Sequence, residues 1–210
     1  MDISKNISNS FVIFIIVVIC LFFTVNINLV DITIMEARNF VTAREMLHDN
    51  NWLMPTFNGE PRYQKPPLPT WISVISTIIA GTKTLYFFRI PGFLCLALIG
   101  ITTYYFSLEL VKNKKFSIVN SFIAITSFYT IAIIIEAPWD IFSHSFMYLA
   151  IYFIYKNLNN QKYYFKEILL IILLVSCSFL SKGPVSVLSL IHISEPTRPR
   201  LISYAVFCLK

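Results

Sequence analysis

Residues 11–30 (FVIFIIVVICLFFTVNINLV) run for twenty positions without a charge. A helix of that length rises about 30 Å, the thickness of the hydrocarbon layer of a bilayer. A signal peptide is the competing reading, but its apolar core is shorter, and residues 25–30 offer no clear small-x-small cleavage site. The pattern then recurs at 87–111, 116–135, 141–155 and 168–180, the last two needing flanking aromatics or snorkelling lysines to reach both surfaces. Residues 71–81 are too short to cross and suit a re-entrant or interfacial helix. So many apolar runs exceed what one water-soluble core of 210 residues can bury, and only 13% of the chain is charged. The expectation is an all-α polytopic membrane protein with five spans.

The net charge of +6 does not point to nucleic acid, because the basic residues are scattered between apolar runs. They report topology instead. Lys112, Lys114 and Lys115 crowd one connection, Lys156, Lys162 and Lys166 another, and Lys5 lies near the start. The positive-inside rule puts all three groups, and the N-terminus, on the cytoplasmic side of a bacterial inner membrane. Residues 31–86, the turn 136–140 and the segment 181–184 then lie outside. No charge falls near the middle of a span, which argues against an ion-coupled carrier. Cys20, Cys95 and Cys177 sit in apolar runs without metal-ligand spacing and read as small packing residues.

The tail is a different object. Leu188 to Arg198 matches, codon for codon, the translation of a transposon-type library adapter, and Ile202 to Leu209 matches its flow-cell end. Residues 188–210 are therefore expected to be adapter-derived, with the native sequence stopping near Val187 and the gene continuing beyond it. Residues 1–187 are then the N-terminal part of a larger transmembrane domain, itself inactive, and no tail residue enters a site.

The charges that could do chemistry gather in the outer segments. Residues 35–48 (MEARNFVTAREMLH) suit an amphipathic interfacial helix. Then follows NGEPRYQKPPLPTW, polar and proline-rich, whose prolines hold Lys65 in an extended backbone. Asp140 opens a later span with His144 one turn on, along the same helical face. For Asp140 the competing role is a helix cap, for Lys182 a snorkelling span end, and for His144 ordinary packing.

The stretch from Met35 to Trp71 resembles the first external loop of bacterial lipid-linked-sugar glycosyltransferases. That family includes aminoarabinose transferases acting on lipid A and is related to the protein O-mannosyltransferases. EAPWDIF resembles the family's second acidic turn, and FLSKGP its T/S-K-G segment. The resemblance implies a GT-C fold with its site at the external membrane surface. It also implies a polyprenyl-phosphate-linked sugar donor, and inverting transfer to a lipid, protein or glycan acceptor. Carried onto this chain, Glu36 and Asp140 take the acidic, catalytic positions. Lys65, Arg62 and Lys182 become the cations for the donor phosphate, with Arg38, Tyr63 and His144 as secondary candidates. Two departures stand out: Met35 replaces the first acid of the usual pair, and Gln64 stands where some relatives carry a metal-binding Glu. No metal or other cofactor is assigned. The alternative function is a carrier or flippase of lipid-linked intermediates that performs no covalent chemistry.

Overall fold

A computed structural model describes residues 8–25, 31–81, 85–136, 138–160 and 164–184. Its helices are α1 (Asn9–Val25), α2 (Ile34–Asp49), α3 (Leu68–Ala80), α4 (Leu85–Val111), α5 (Lys114–Thr126), α6 (Phe128–Glu136), α7 (Pro138–Asn160) and α8 (Phe165–Lys182). A small hairpin, β1 (Thr56–Phe57) with β2 (Glu60–Pro61), interrupts the segment between α2 and α3.

α4 is the central element. It packs against α1, α3, α5, α6 and α7, while α8 lies mainly along α7. The fully buried centre is Ile16, Leu96, Tyr104, Ile125 and Ile141. Around it the usual distribution is inverted. Ser117, Ser121, Ser143 and Ser178 are wholly buried between helices, whereas Phe14, Phe22, Ile123 and Ile172 are more than half exposed on the outside. Small hydroxyl residues inside and large apolar ones outside are what helices packed in lipid require, since closeness and hydrogen bonds hold them together there. Ser178 accordingly donates to the Ser143 carbonyl at 2.9 Å, joining α8 to α7, and Ser121 to the Gly100 carbonyl at 2.7 Å, joining α5 to α4.

Tyr86–Val111 is long and apolar enough to cross a membrane in one piece. Residues 116–135, expected as one span, are instead two helices bent by 46°, broken at Ser127. The cause is local. Thr130 Oγ1 accepts no ladder role here but donates to the carbonyls of Ala124 at 2.9 Å and Ser127 at 2.8 Å, competing with the helix backbone. The strands are also a departure from an all-helical expectation. Asn58 and Gly59 both have positive φ, at 54° and 78°, as a tight hairpin turn demands.

Contacts between helix ends fix which residues share an end of the bundle. Tyr104, late in α4, donates to Asn9 at the start of α1. Phe106 stacks near Tyr148, Tyr152 and Tyr155 of α7. The connection with Lys112, Lys114 and Lys115 follows directly at that end. At the opposite end Thr24 meets Tyr86, Glu36 meets Arg89, and Asp140 meets Lys182. Basic turns and candidate site residues thus lie at opposite ends.

The tightest crossing is at Gly100. A Cβ there would stand 2.6 Å from Ile125 Cγ2 and 2.9 Å from Ile16 Cγ2. Both neighbours are β-branched and stiff at χ1, so neither yields easily. Gly100→Ala is expected to destabilise by about 1–3 kcal/mol, measured as a lower unfolding midpoint in detergent. An unchanged midpoint would mean that α1 and α5 separate freely from α4.

Candidate active site

α2 begins at Thr33, whose hydroxyl accepts from the Glu36 amide at 3.2 Å and so fixes the first turn. That turn aims Glu36 inward against α4. Arg89 grips it with a two-pronged contact, Nε to Oε1 at 2.5 Å and Nη2 to Oε2 at 2.6 Å, with both side chains 2% exposed. A planar guanidinium suits this fork, and a lysine would not reproduce it.

The hairpin is fastened to the same helix. Glu45 accepts from the Thr56 hydroxyl at 2.6 Å and from the amides of Asn58 at 2.7 Å and Gly59 at 3.3 Å. Beyond β2, the Arg62 amide donates to the Pro55 carbonyl, and its guanidinium donates to Thr42 Oγ1 at 2.9 Å and the Arg38 carbonyl at 3.3 Å. Burial, and then the nearby charge of Arg38, lower the Arg62 pKa. On the far side, Pro69 sits in the first turn of α3, and Trp71 Nε1 donates to the Trp52 carbonyl at 2.6 Å. Lys65 is therefore held between two anchored segments.

Both cations meet one indole. Arg62 Cζ lies 5.0 Å and Lys65 Nζ 5.5 Å from the ring of Trp139. Trp139 is 5% exposed and stands next to Asp140, whose carboxylate accepts from Lys182 Nζ at 2.6 Å. That pair is partly open, with side chains 22% and 26% exposed. Beneath Trp139, between α2, α3, α4, α6 and α7, lies a cavity of about 30 Å³ whose walls mix polar side chains (Glu36, Asn39, Arg89) with apolar ones (Phe88, Ile134, Phe142). A wider groove of about 420 Å³ opens beside the hairpin, lined by Arg38, Phe57, Glu60, Arg62, Tyr63 and Gln64.

A family model described as dolichyl-phosphate-mannose-protein mannosyltransferase matches residues 64–200, running into the tail. The chain belongs to that family. Its members are membrane glycosyltransferases of the GT-C class that draw on lipid-linked sugars. An "Uncharacterized protein" of Aquifex aeolicus (strain VF5) is 28% identical over 148 residues, which is 68% of this chain and 28% of the relative. The undecaprenyl phosphate-alpha-4-amino-4-deoxy-L-arabinose arabinosyl transferase of Shewanella sediminis (strain HAW-EB3) is 39% identical over 46 residues, 22% of this chain and 8% of that protein. The chain thus matches less than a third of the length of these relatives. No solved structure matches it.

Within this mannosyltransferase-family chain, the expected site residues fall into three places. Arg62, Lys65, Asp140 and Lys182 come together around Trp139, with His144 one turn along α7. Arg38 and Tyr63 line the groove, Tyr63 being 78% exposed. Glu36 stands apart from the cations named for the phosphate, since both of its oxygens are taken by Arg89. Lys182 likewise pairs with Asp140. Sequence reasoning passed over Arg89, Asn39 and Trp139. Arg89 did carry a signal, as a charge at the edge of a long apolar run. Trp139 and Asn39 carried none, because an aromatic or amide there is equally ordinary.

Proposed function

We propose that the protein is an inverting glycosyltransferase acting at the outer face of the cytoplasmic membrane, moving a sugar from a polyprenyl phosphate to a lipid, protein or glycan hydroxyl. The observation that carries this reading is the pairing of Arg62 and Lys65 on the Trp139 ring, directly beside Asp140. The acceptor oxygen attacks the anomeric carbon as the bond to the phosphate oxygen breaks. Polyprenyl phosphate leaves with added negative charge, and two fixed cations at its departure point stabilise that charge. Asp140, partly open to solvent and oriented by Lys182, takes the proton of the attacking hydroxyl. Glu36 is the less suitable base, being buried with both oxygens engaged, and with Arg89 it braces α2 against α4. The groove beside the hairpin, with Arg38 and Tyr63, is the acceptor's approach, and His144 supports Asp140 along α7. Five spans, an inside N-terminus and an outside hairpin fit the grouping of basic turns at the opposite end from the site.

The test uses the full-length protein, purified in nanodiscs, with undecaprenyl-phosphate sugars and a detergent-soluble acceptor mixture. Lys65→Ala is expected to lower transfer on the order of 10²-fold, the scale of losing one preorganised charge-stabilising group. A wild-type protein that, in sealed liposomes, moves the lipid across the bilayer and that transfers no sugar would replace this reading with that of a flippase.

A further inference from the structure

The cavity beneath Trp139 has mixed polar and apolar walls from α2, α3, α4, α6 and α7, and it is incompletely hydrogen-bonded. Trp139 Nε1 and Asn39 Oδ1 are both buried without a partner among the described residues, and both residues border this cavity. One is a donor and the other an acceptor. Glu36 and Arg89 also border it, but they neutralise each other and give it no net charge. A buried donor and acceptor left unmatched are costly, so such a pair marks a place that something fills. At about 30 Å³ the space holds one or two water-sized groups, a water needing roughly 10–15 Å³. A sugar ring is too large for it, whereas one ring substituent fits.

We infer that this cavity is a specificity pocket for one neutral hydroxyl of the transferred sugar, held by Trp139 and Asn39. The inference rests on the glycosyltransferase reading above. A hydroxyl has one hydrogen to give and lone pairs to receive, and therefore satisfies Asn39 Oδ1 and Trp139 Nε1 together. An ammonium has donors only and leaves Trp139 Nε1 unmet; a carboxylate or phosphate has no hydrogen for Asn39. Position agrees with this division of labour. The same indole ring carries Arg62 and Lys65 and borders the cavity, so a phosphate held by those cations lies one side chain away from an electroneutral pocket. The pocket selects neutral sugars over amino sugars.

The experiment measures binding to the full-length protein in nanodiscs of bare undecaprenyl phosphate, its mannosyl, glucosyl and galactosyl forms, and its 4-amino-4-deoxy-arabinosyl form. At least one hexosyl lipid is expected to bind on the order of tenfold tighter than both the bare and the amino-sugar lipids, as for a site built to pair a substrate hydroxyl. Asn39→Leu, close in shape and without the amide, is expected to abolish that preference while keeping the affinity for the bare lipid. Trp139→Phe, which keeps a ring and loses the N–H, is expected to abolish the same preference and serves if Asn39→Leu fails to fold. Equal wild-type binding of bare and hexosyl lipids overturns the inference and leaves the phosphate site standing, the cavity then holding water only. A uniform loss across all lipids in both variants, or preference for the amino sugar, overturns it too. Binding of none of these lipids by the wild-type protein removes the glycosyltransferase reading, and the inference with it.

Discussion

Arg89→Ala is expected to destabilise the protein by about 3–5 kcal/mol, because it strands the Glu36 carboxylate in a buried place. The two side chains are each 2% exposed and joined by two hydrogen bonds, so neither water nor a neighbouring cation readily replaces the guanidinium. In a low-dielectric interior an unpaired charge costs far more than the net value of the pair. Removing both charges is accordingly milder. Glu36→Leu combined with Arg89→Met is expected to recover most of the loss, since well-packed apolar residues often replace a buried pair at little cost. Unfolding midpoints of Glu36→Leu, of Arg89→Met and of the double variant in detergent complete the cycle. A loss below about 1 kcal/mol for Arg89→Ala would place the carboxylate in contact with water and reopen Glu36 as a catalytic group. Strong non-additivity, with Arg89→Ala worse than the double variant, supports Glu36 as a brace.

Asp140→Asn is expected to reduce turnover about 10²–10⁴-fold, the range for losing a general base. The amide keeps the shape and can still meet Lys182 through its oxygen, so the fold and the phosphate-binding cations stay in place. The loss should therefore fall on kcat, with the KM for the lipid donor changed little. The same substitution at Glu36 is expected to show first as lost stability. This contrast separates two acidic residues that play the same part in a sequence reading. Near-normal turnover in Asp140→Asn would reduce Asp140 to a partner of Lys182 and a first-turn residue of α7, and the base would have to be sought elsewhere.

Several elements were legible because they depend on neighbours in the chain. The amphipathic character of residues 35–48, the short apolar stretch near 71–81 and the long run at 87–111 correspond to α2, α3 and α4. Each follows from periodicity and run length over a few turns. The break at Ser127 was less legible, since hydropathy counts an apolar run and cannot see Thr130 taking backbone carbonyls. The hairpin had a recognisable sign in Asn58-Gly59, but its strands are only two residues long. Glu45 shows the same limit. In the sequence it is one charge on a solvated helix face, yet it gathers one hydroxyl and two amides from the hairpin.

The sequence by itself determined the class and the family of this protein. An uncharged run long enough to cross a bilayer marks a membrane protein, and the motifs from Met35 to Trp71, at 136–142 and at 179–184 mark the family. Tertiary structure alone decided which charges meet. Glu36 and Arg89 are 53 positions apart, Asp140 and Lys182 are 42 apart, and Trp139 receives two cations from a segment more than seventy residues earlier. Such pairings depend on how α2, α4, α7 and α8 cross, which no local pattern encodes. The physical reason is the range of the forces: helix formation is settled within a turn or two, whereas the partner of a buried charge is settled only when the helices pack.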